Sequence, residues 1–309
     1  MGYYYIIINL MKELNLEDIL ANTSDLTKEK KVWYVAIIGR PNAWKSTFVN
    51  SLIWEKISIT TNVPQTTRKR VLAIYNDKES QIIFFDTPWI HKSEKKFNEE
   101  INNVAISSFK DAEVILYFID SSREGWKEEE YIRQILEMVN KPIIKVYTKT
   151  DLKPKINIPS GDNIVKISSV TQEWFDKLLE KVKSYLKTWP MFFPDDFYTK
   201  QDIYFRISEI IREKAFLHTK EELPHSVYIW VEEIEDNEDI MKIVAYIYTE
   251  TDSQKYIVIW KAWSLIQKIW KEARIELEKV FWKKIFLALR VKVKKNWRKD
   301  DRLIKEILH

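Results

Sequence analysis

The chain has 309 residues, a charged fraction of 31% and a net charge of +4, an ordinary soluble balance in a length that suggests about two domains. It has no cysteine, which excludes disulfides, thiolate catalysis and cysteine-ligated zinc, and its four histidines (His91, His218, His225, His309) lack metal-ligand spacing. The unusual counts are 13 Trp and only 4 Gly, where ordinary usage would give about twenty glycines.

Residues 1–31 read as an N-terminal extension with a polar, helical lead-in. The apolar stretch Met1–Met11 lacks a positive start and a small-residue cleavage site, and it is far shorter than the ~20 residues of a membrane span. A cytoplasmic protein starting at Met1 or Met11 is expected. A wholly apolar run at 34–38 is followed by similar, largely apolar runs at 81–85, 114–119, 143–147 and 164–167, the pattern of parallel strands buried on both faces. Amphipathic stretches such as 128–139 and 174–186 lie between them. This alternation predicts an α/β domain over 32–188 with a mostly parallel sheet, including one hairpin within 71–85 around Asn76–Glu79.

Residues 188–197, with two prolines and no regular period, mark the boundary, and 189–202 is expected to be a linker. The order then changes to helix (202–217), two strands (226–233 and 241–250), two helices, a strand and a final helix, an α+β domain over 203–309. From Lys255 to Lys299 there are fourteen Lys and Arg against three Glu, a local excess of eleven that suits a polyanion partner.

The run 34–38 leads directly into Gly39-Arg40-Pro41-Asn42-Ala43-Trp44-Lys45-Ser46-Thr47, which matches the phosphate-cradling pattern G-x-x-x-x-G-K-[ST] except that Trp44 replaces the second glycine. In such a loop successive N–H groups and the following helix start face the phosphates; Lys45 supplies charge and Ser46 a Mg²⁺ ligand. Asp86-Thr87-Pro88-Trp89 ends the third strand, where the carboxylate can join the Mg²⁺ shell and the turn can sense the γ-phosphate. Thr67, within Thr66-Thr67-Arg68, can complete that shell, making Lys45, Thr67 and Asp86 the candidate catalytic residues. Thr148-Lys149-Thr150-Asp151 follows the fifth strand, and the Asp151 carboxylate can accept both guanine N1–H and N2–H, selecting GTP over ATP. Ser168-Ser169-Val170 can add backbone contacts to the base. Five such elements in this order are highly specific.

These motifs resemble the G motifs of the Era family of ribosome-assembly GTPases. The similarity continues through Glu209–Lys214, Glu222–Val227 and Val291–Trp297, covering about residues 32–308. The resemblance implies GTP/GDP and Mg²⁺ as ligands and a C-terminal type II KH domain whose G-x-x-G loop clamps RNA. That loop falls on Trp260-Lys261-Ala262-Trp263, with Ser264, Lys268, Lys294 and Lys295 nearby as RNA contacts. It further implies a monomer that binds 16S rRNA and the 30S subunit, and peripheral association with the inner membrane. Two departures stand out. Thr148 sits where the family has asparagine, which weakens base anchoring modestly. Ile90 sits where other GTPases carry a water-positioning glutamine; the family itself is apolar there, and slow intrinsic hydrolysis follows.

Matched to the family pattern, Trp33, Trp44, Trp54, Trp89, Trp174, Trp260, Trp263, Trp270 and Trp282 occupy glycine slots, whereas Trp297 occupies a tryptophan slot. At Trp44 a side chain and a left-handed backbone are both unfavourable. One reading is a degenerate GTPase that survives as a non-hydrolysing RNA-binding scaffold. The other is a gene in which UGA encodes glycine but was read as tryptophan. Decay scatters losses among residue types, whereas here Lys45, Ser46, Asp86 and Asp151 persist and the departures run one way. The coding DNA decides: UGG at codon 44 sinks the second reading.

Overall fold

The computed structural model describes residues 28–61, 67–90, 96–125, 127–168, 170–219, 223–259 and 263–308. The expected contacts Ser169, Trp260, Lys261 and Ala262 lie outside them, as do Thr66 and most of the N-terminal extension.

The first sheet runs β2-β3-β1-β4-β5-β6, from β1 (Glu29–Gly39), β2 (Val71–Asn76), β3 (Ser80–Asp86), β4 (Val114–Asp120), β5 (Ile143–Thr148) and β6 (Ile164–Lys166). All neighbours are parallel except the β2–β3 hairpin. Strand alternation sends Val35 and Ile37 to one core with α1 (Lys45–Ile53) and α4 (Phe175–Lys183). Tyr34, Ala36 and Ile38 enter the opposite core with α2 (Lys96–Asp111) and α3 (Lys127–Glu137). Helices on both faces explain why β3 and β4 are buried at every position. Register sets Ile37 beside Asp86 and Gly39 beside Phe118, so the strand ends form one crevice. Gly39 is required by that approach, because a Cβ there would meet the Phe118 carbonyl oxygen at 2.4 Å.

The 189–202 stretch is not a free tether. β7 (Lys187–Pro190) pairs antiparallel with β1, carrying Trp189 and Pro190 into the first sheet. Buried Gln81 accepts the Phe192 and Phe193 N–H groups and donates to the Phe193 carbonyl, and Ile74 N–H donates to the Tyr198 carbonyl. Lack of a sequence period concealed this strap because side-chain amides and backbone groups hold it.

The second sheet has order β10-β9-β8, from β8 (Tyr228–Asp236), β9 (Ile240–Thr249) and β10 (Lys284–Val293), with β10 parallel and β8 antiparallel to β9. α5 (Ile203–His218) and α8 (Trp263–Phe281) cover it, while α6 (Leu223–Ser226), α7 (Asp252–Ile259) and α9 (Asp301–Leu308) complete the unit. A further core joins the two units: Phe97, Ile101 and Val104 of α2 pack with Trp297, Leu303, Ile304 and Leu308.

The tryptophans divide sharply. Trp297 is fully buried and donates its Nε1–H to the Ser226 carbonyl. Trp44, Trp54, Trp174 and Trp282 instead have left-handed φ of 64°, 61°, 66° and 53°. Trp54 and Trp282 project 78% and 89% into solvent. Left-handed backbone at a helix end is a glycine position. Trp33, Trp89 and Trp270 do not have positive φ; Trp270 instead donates its indole N–H to the Leu287 carbonyl.

Candidate nucleotide site and RNA-facing unit

The loop after β1 turns through left-handed Asn42 and Trp44 and opens directly into α1. Within it the Ala43 N–H donates to the Arg40 carbonyl, closing a tight turn before the helix start, the kind of backbone arrangement that can face an anion. Lys45 is buried, and its Nζ donates to the Gly39 and Arg40 carbonyls at 2.9 and 3.1 Å. Burial pushes its pKa down to about 8, against the opposing pull of Asp86. The Arg40 side chain turns away to Glu129 and the Glu124 carbonyl, fastening the loop to α3.

Ser46 Oγ donates to Asp86 Oδ2 at 2.6 Å and lies 3.3 Å from Thr67 Oγ1. Three oxygen ligands from three segments thus meet at the loop's end. Asp86 Oδ1 is buried without a hydrogen-bond partner, and burial raises the Asp86 pKa. A hard oxygen set with an unmet carboxylate oxygen fits Mg²⁺. Thr87 Oγ1 donates to the Ile37 carbonyl, tying the following turn to β1.

A cleft of about 320 Å³ is lined by Pro41, Asn42, Trp44, Lys45, Ser46, Thr47, Thr67, Thr87 and Trp89. Ile59, Thr60 and Thr61, within the 57–70 stretch expected from the sequence to act as a switch segment, and Leu217, which had no expected role, complete its lining. Leu217 belongs to α5 of the second unit, and no local motif announces it. Ala43 and Ile90 are fully buried in the cores rather than lining the cleft.

At the neighbouring strand ends, Ser168 Oγ donates to Asp151 Oδ1 at 2.7 Å and orients that carboxylate. Thr148 Oγ1 donates to the Ile119 carbonyl, so this hydroxyl ties β5 to β4. Lys149, at φ 59°, is buried, pairs with Asp120 Oδ2 at 2.7 Å and stands 5.4 Å from the Trp44 ring. The Trp44 indole therefore lies beside the strand-end segment that carries Lys149. Val170 is exposed, and Thr150 is half-buried.

On the second unit, Trp263 and Ser264 open α8, Lys268 and Lys295 are exposed, and Lys294 is half-buried with its N–H bonded to the Thr249 carbonyl. Among the described residues no helix is long and apolar enough to cross a membrane.

Comparison with known proteins agrees with this geometry. The family described as 50S ribosome-binding GTPase matches residues 34–149, and the KH domain family matches 222–298. The GTPase Era of Treponema denticola is 40% identical over 289 residues, covering 88% of this chain and 98% of the relative. The chain belongs to the Era GTPase family. Era of Thermoanaerobacter sp. is 39% identical, covering 90% of this chain and 96% of its own. Era in complex with MgGDPNP and nucleotides 1506–1542 of 16S ribosomal RNA has a TM-score of 0.83 at 34% identity, covering 89% of this chain and 98% of that one. An Aquifex aeolicus Era variant bound to GDP·AlF4⁻ has a TM-score of 0.81 with the same identity and coverage. As an Era-family GTPase the chain is a GTP-hydrolysing enzyme that uses GTP/GDP and Mg²⁺, with a G domain followed by a KH domain. The non-hydrolysing scaffold reading is not favoured.

Proposed function

We propose that this GTPase is a nucleotide-controlled monomer whose KH unit binds 16S rRNA and assists assembly of the 30S subunit. The G domain spans 32–188 and the KH domain 203–309, with 189–202 strapped to the former. In this reading Gly39–Thr47 cradles the phosphates, Ser46, Thr67 and Asp86 hold Mg²⁺, and Thr87–Ile90 forms the γ-phosphate turn. Thr148–Asp151 and Ser168–Val170 hold guanine. Mg²⁺ held by Ser46, Thr67 and Asp86 would supply positive charge to neutralise the phosphate oxygens. Residues 260–264 with Lys268, Lys294 and Lys295 take the RNA backbone.

The observation that carries this reading is the meeting of Ser46, Thr67 and Asp86 beside Lys45 in a chain that also carries the basic KH unit. The left-handed tryptophans support glycine at those positions in the functioning protein. The test is a binding titration of the chain with glycine at the nine slots, against GTP, ATP and nucleotides 1506–1542 of 16S rRNA. Preference for GTP and salt-sensitive RNA retention are expected; equal GTP and ATP affinities would remove the nucleotide assignment. Peripheral membrane attachment rests on the basic excess and on the family resemblance, and failure to co-sediment with anionic liposomes would end it.

A further inference from the structure

We propose that Glu213, in the KH unit, is a positioning residue for GTP hydrolysis: it holds the Thr60–Thr61 wall of the nucleotide cleft in place. The proposal rests on the placement of the nucleotide in that cleft.

After α1 the chain is pinned first by the G domain itself. Asn50 Oδ1 accepts the Ile57 and Ser58 N–H groups at 2.9 Å, and its amide donates to the Ser58 carbonyl at 2.7 Å. Two residues later the hold passes to the other unit. Thr60 N–H donates to Glu213 Oε1 at 2.9 Å, across 153 residues of sequence. Thr60 and Thr61 line the same cleft as Ser46 and Thr67. Leu217 lies one helical turn beyond Glu213 on α5 and lines that cleft too, so a single face of α5 both grips the wall and rims the site.

Glu213 is itself only 2% exposed, and a buried carboxylate is stable only when its lone pairs are met. Here Oε2 takes Lys56 Nζ and Lys214 Nζ, leaving Oε1 for Thr60. Glu276 of α8 binds Lys56 at 2.9 Å and lies 3.7 Å from Lys214, locking the grip to the helix that begins beside the RNA loop. Burial opposes the Glu276 charge, but these lysines outweigh it and hold its pKa below the usual range. The carboxylate is thus fixed by partners that leave one oxygen free for one task, fixing a backbone amide of the cleft wall.

The experiment compares Glu213→Gln, Glu213→Asp and Glu213→Ala in the full chain with glycine at the nine slots as common background. Glutamine keeps an oxygen at the distance of Thr60 N–H but loses charge; aspartate keeps charge but falls one carbon short. Positioning predicts that Gln hydrolyses GTP within about threefold of the parent, whereas Asp and Ala lose roughly tenfold or more in kcat with GDP affinity little changed. Hydrogen exchange at the Thr60 amide in nucleotide-free protein is expected to rise in Asp and Ala only. An electrostatic or merely structural role predicts the reverse order, with Asp best, or losses in melting temperature alone; either result overturns the proposal. A parent that binds no GTP overturns the nucleotide placement and the proposal with it, whereas an active parent with unchanged Asp and Ala variants overturns the proposal alone.

Discussion

The loop Gly39–Thr47 faces Thr60, Thr61 and Thr67 across one cleft, yet the two walls are held by different parts of the molecule. The loop is fixed by its neighbours in sequence and by the sheet below it: Lys45 on its own carbonyls, Arg40 on α3, Gly39 against β4. The segment opposite is gripped from the KH unit. Glu213 holds Thr60, and Arg68, only 4% exposed, donates to the Val227 and Pro224 carbonyls. Its guanidinium also stacks within 6 Å of the Phe97, Phe216 and Trp297 rings. Since Thr67 adjoins Arg68, a hydroxyl that reaches Ser46 and a side chain that reaches the KH unit leave the same short stretch in opposite directions. One wall is a local device; the other reports where the second unit sits.

The comparison can be broken most forcefully at position 44. Trp44→Gly removes a left-handed non-glycine backbone costing about 1–3 kcal/mol and clears the indole from the phosphate path, so GDP affinity is expected to rise at least about 100-fold in a fluorescence titration. Equal affinities would show that the loop tolerates the ring. Next comes Arg68→Ala, which empties the opposite anchor. It is expected to cost about 2 kcal/mol in denaturant unfolding and to slow hydrolysis, while GDP affinity stays within a few-fold, because the local wall is untouched.

A third outcome concerns pH. Lys45 loses its proton near pH 8 in the free protein, whereas phosphates require the charged form. Binding must then restore the proton, so affinity is full below that pH and falls above it, by about tenfold between pH 7 and pH 9. A flat profile across that range contradicts a buried Lys45 at the phosphates. The smallest effect lies far from either wall. Trp282→Gly, at an exposed left-handed helix end, is expected to stabilise the chain by about 1 kcal/mol through relief of backbone strain. Destabilisation in thermal unfolding would mean that the ring packs usefully there.

Much of this site was legible in the sequence because phosphate loops work through consecutive backbone groups. Gly39 to Thr47, Asp86 and Asp151 could be placed from their spacing after apolar strands, and the parallel sheet from strand–helix alternation. The same reasoning misplaced emphasis at Ile90, whose side chain joins the core, and treated 189–202 as a linker where Gln81 and β7 strap it down. Glu213 lay in plain view beside Arg212 and Lys214. A glutamate amid charged helix residues reads as solvated surface, and only burial shows otherwise.

The sequence by itself determined the family and which residues are proposed to meet phosphate, metal and guanine, and it marked the positions that match glycine slots. The left-handed turns at Trp44, Trp54, Trp174 and Trp282 then gave those positions a physical reason. Only the tertiary structure decided what holds the second wall of the cleft. That hold joins Thr60 to Glu213 and Arg68 to Val227 over more than 150 residues. Contacts between units leave no period or spacing in a chain, since each partner's local pattern is satisfied without the other.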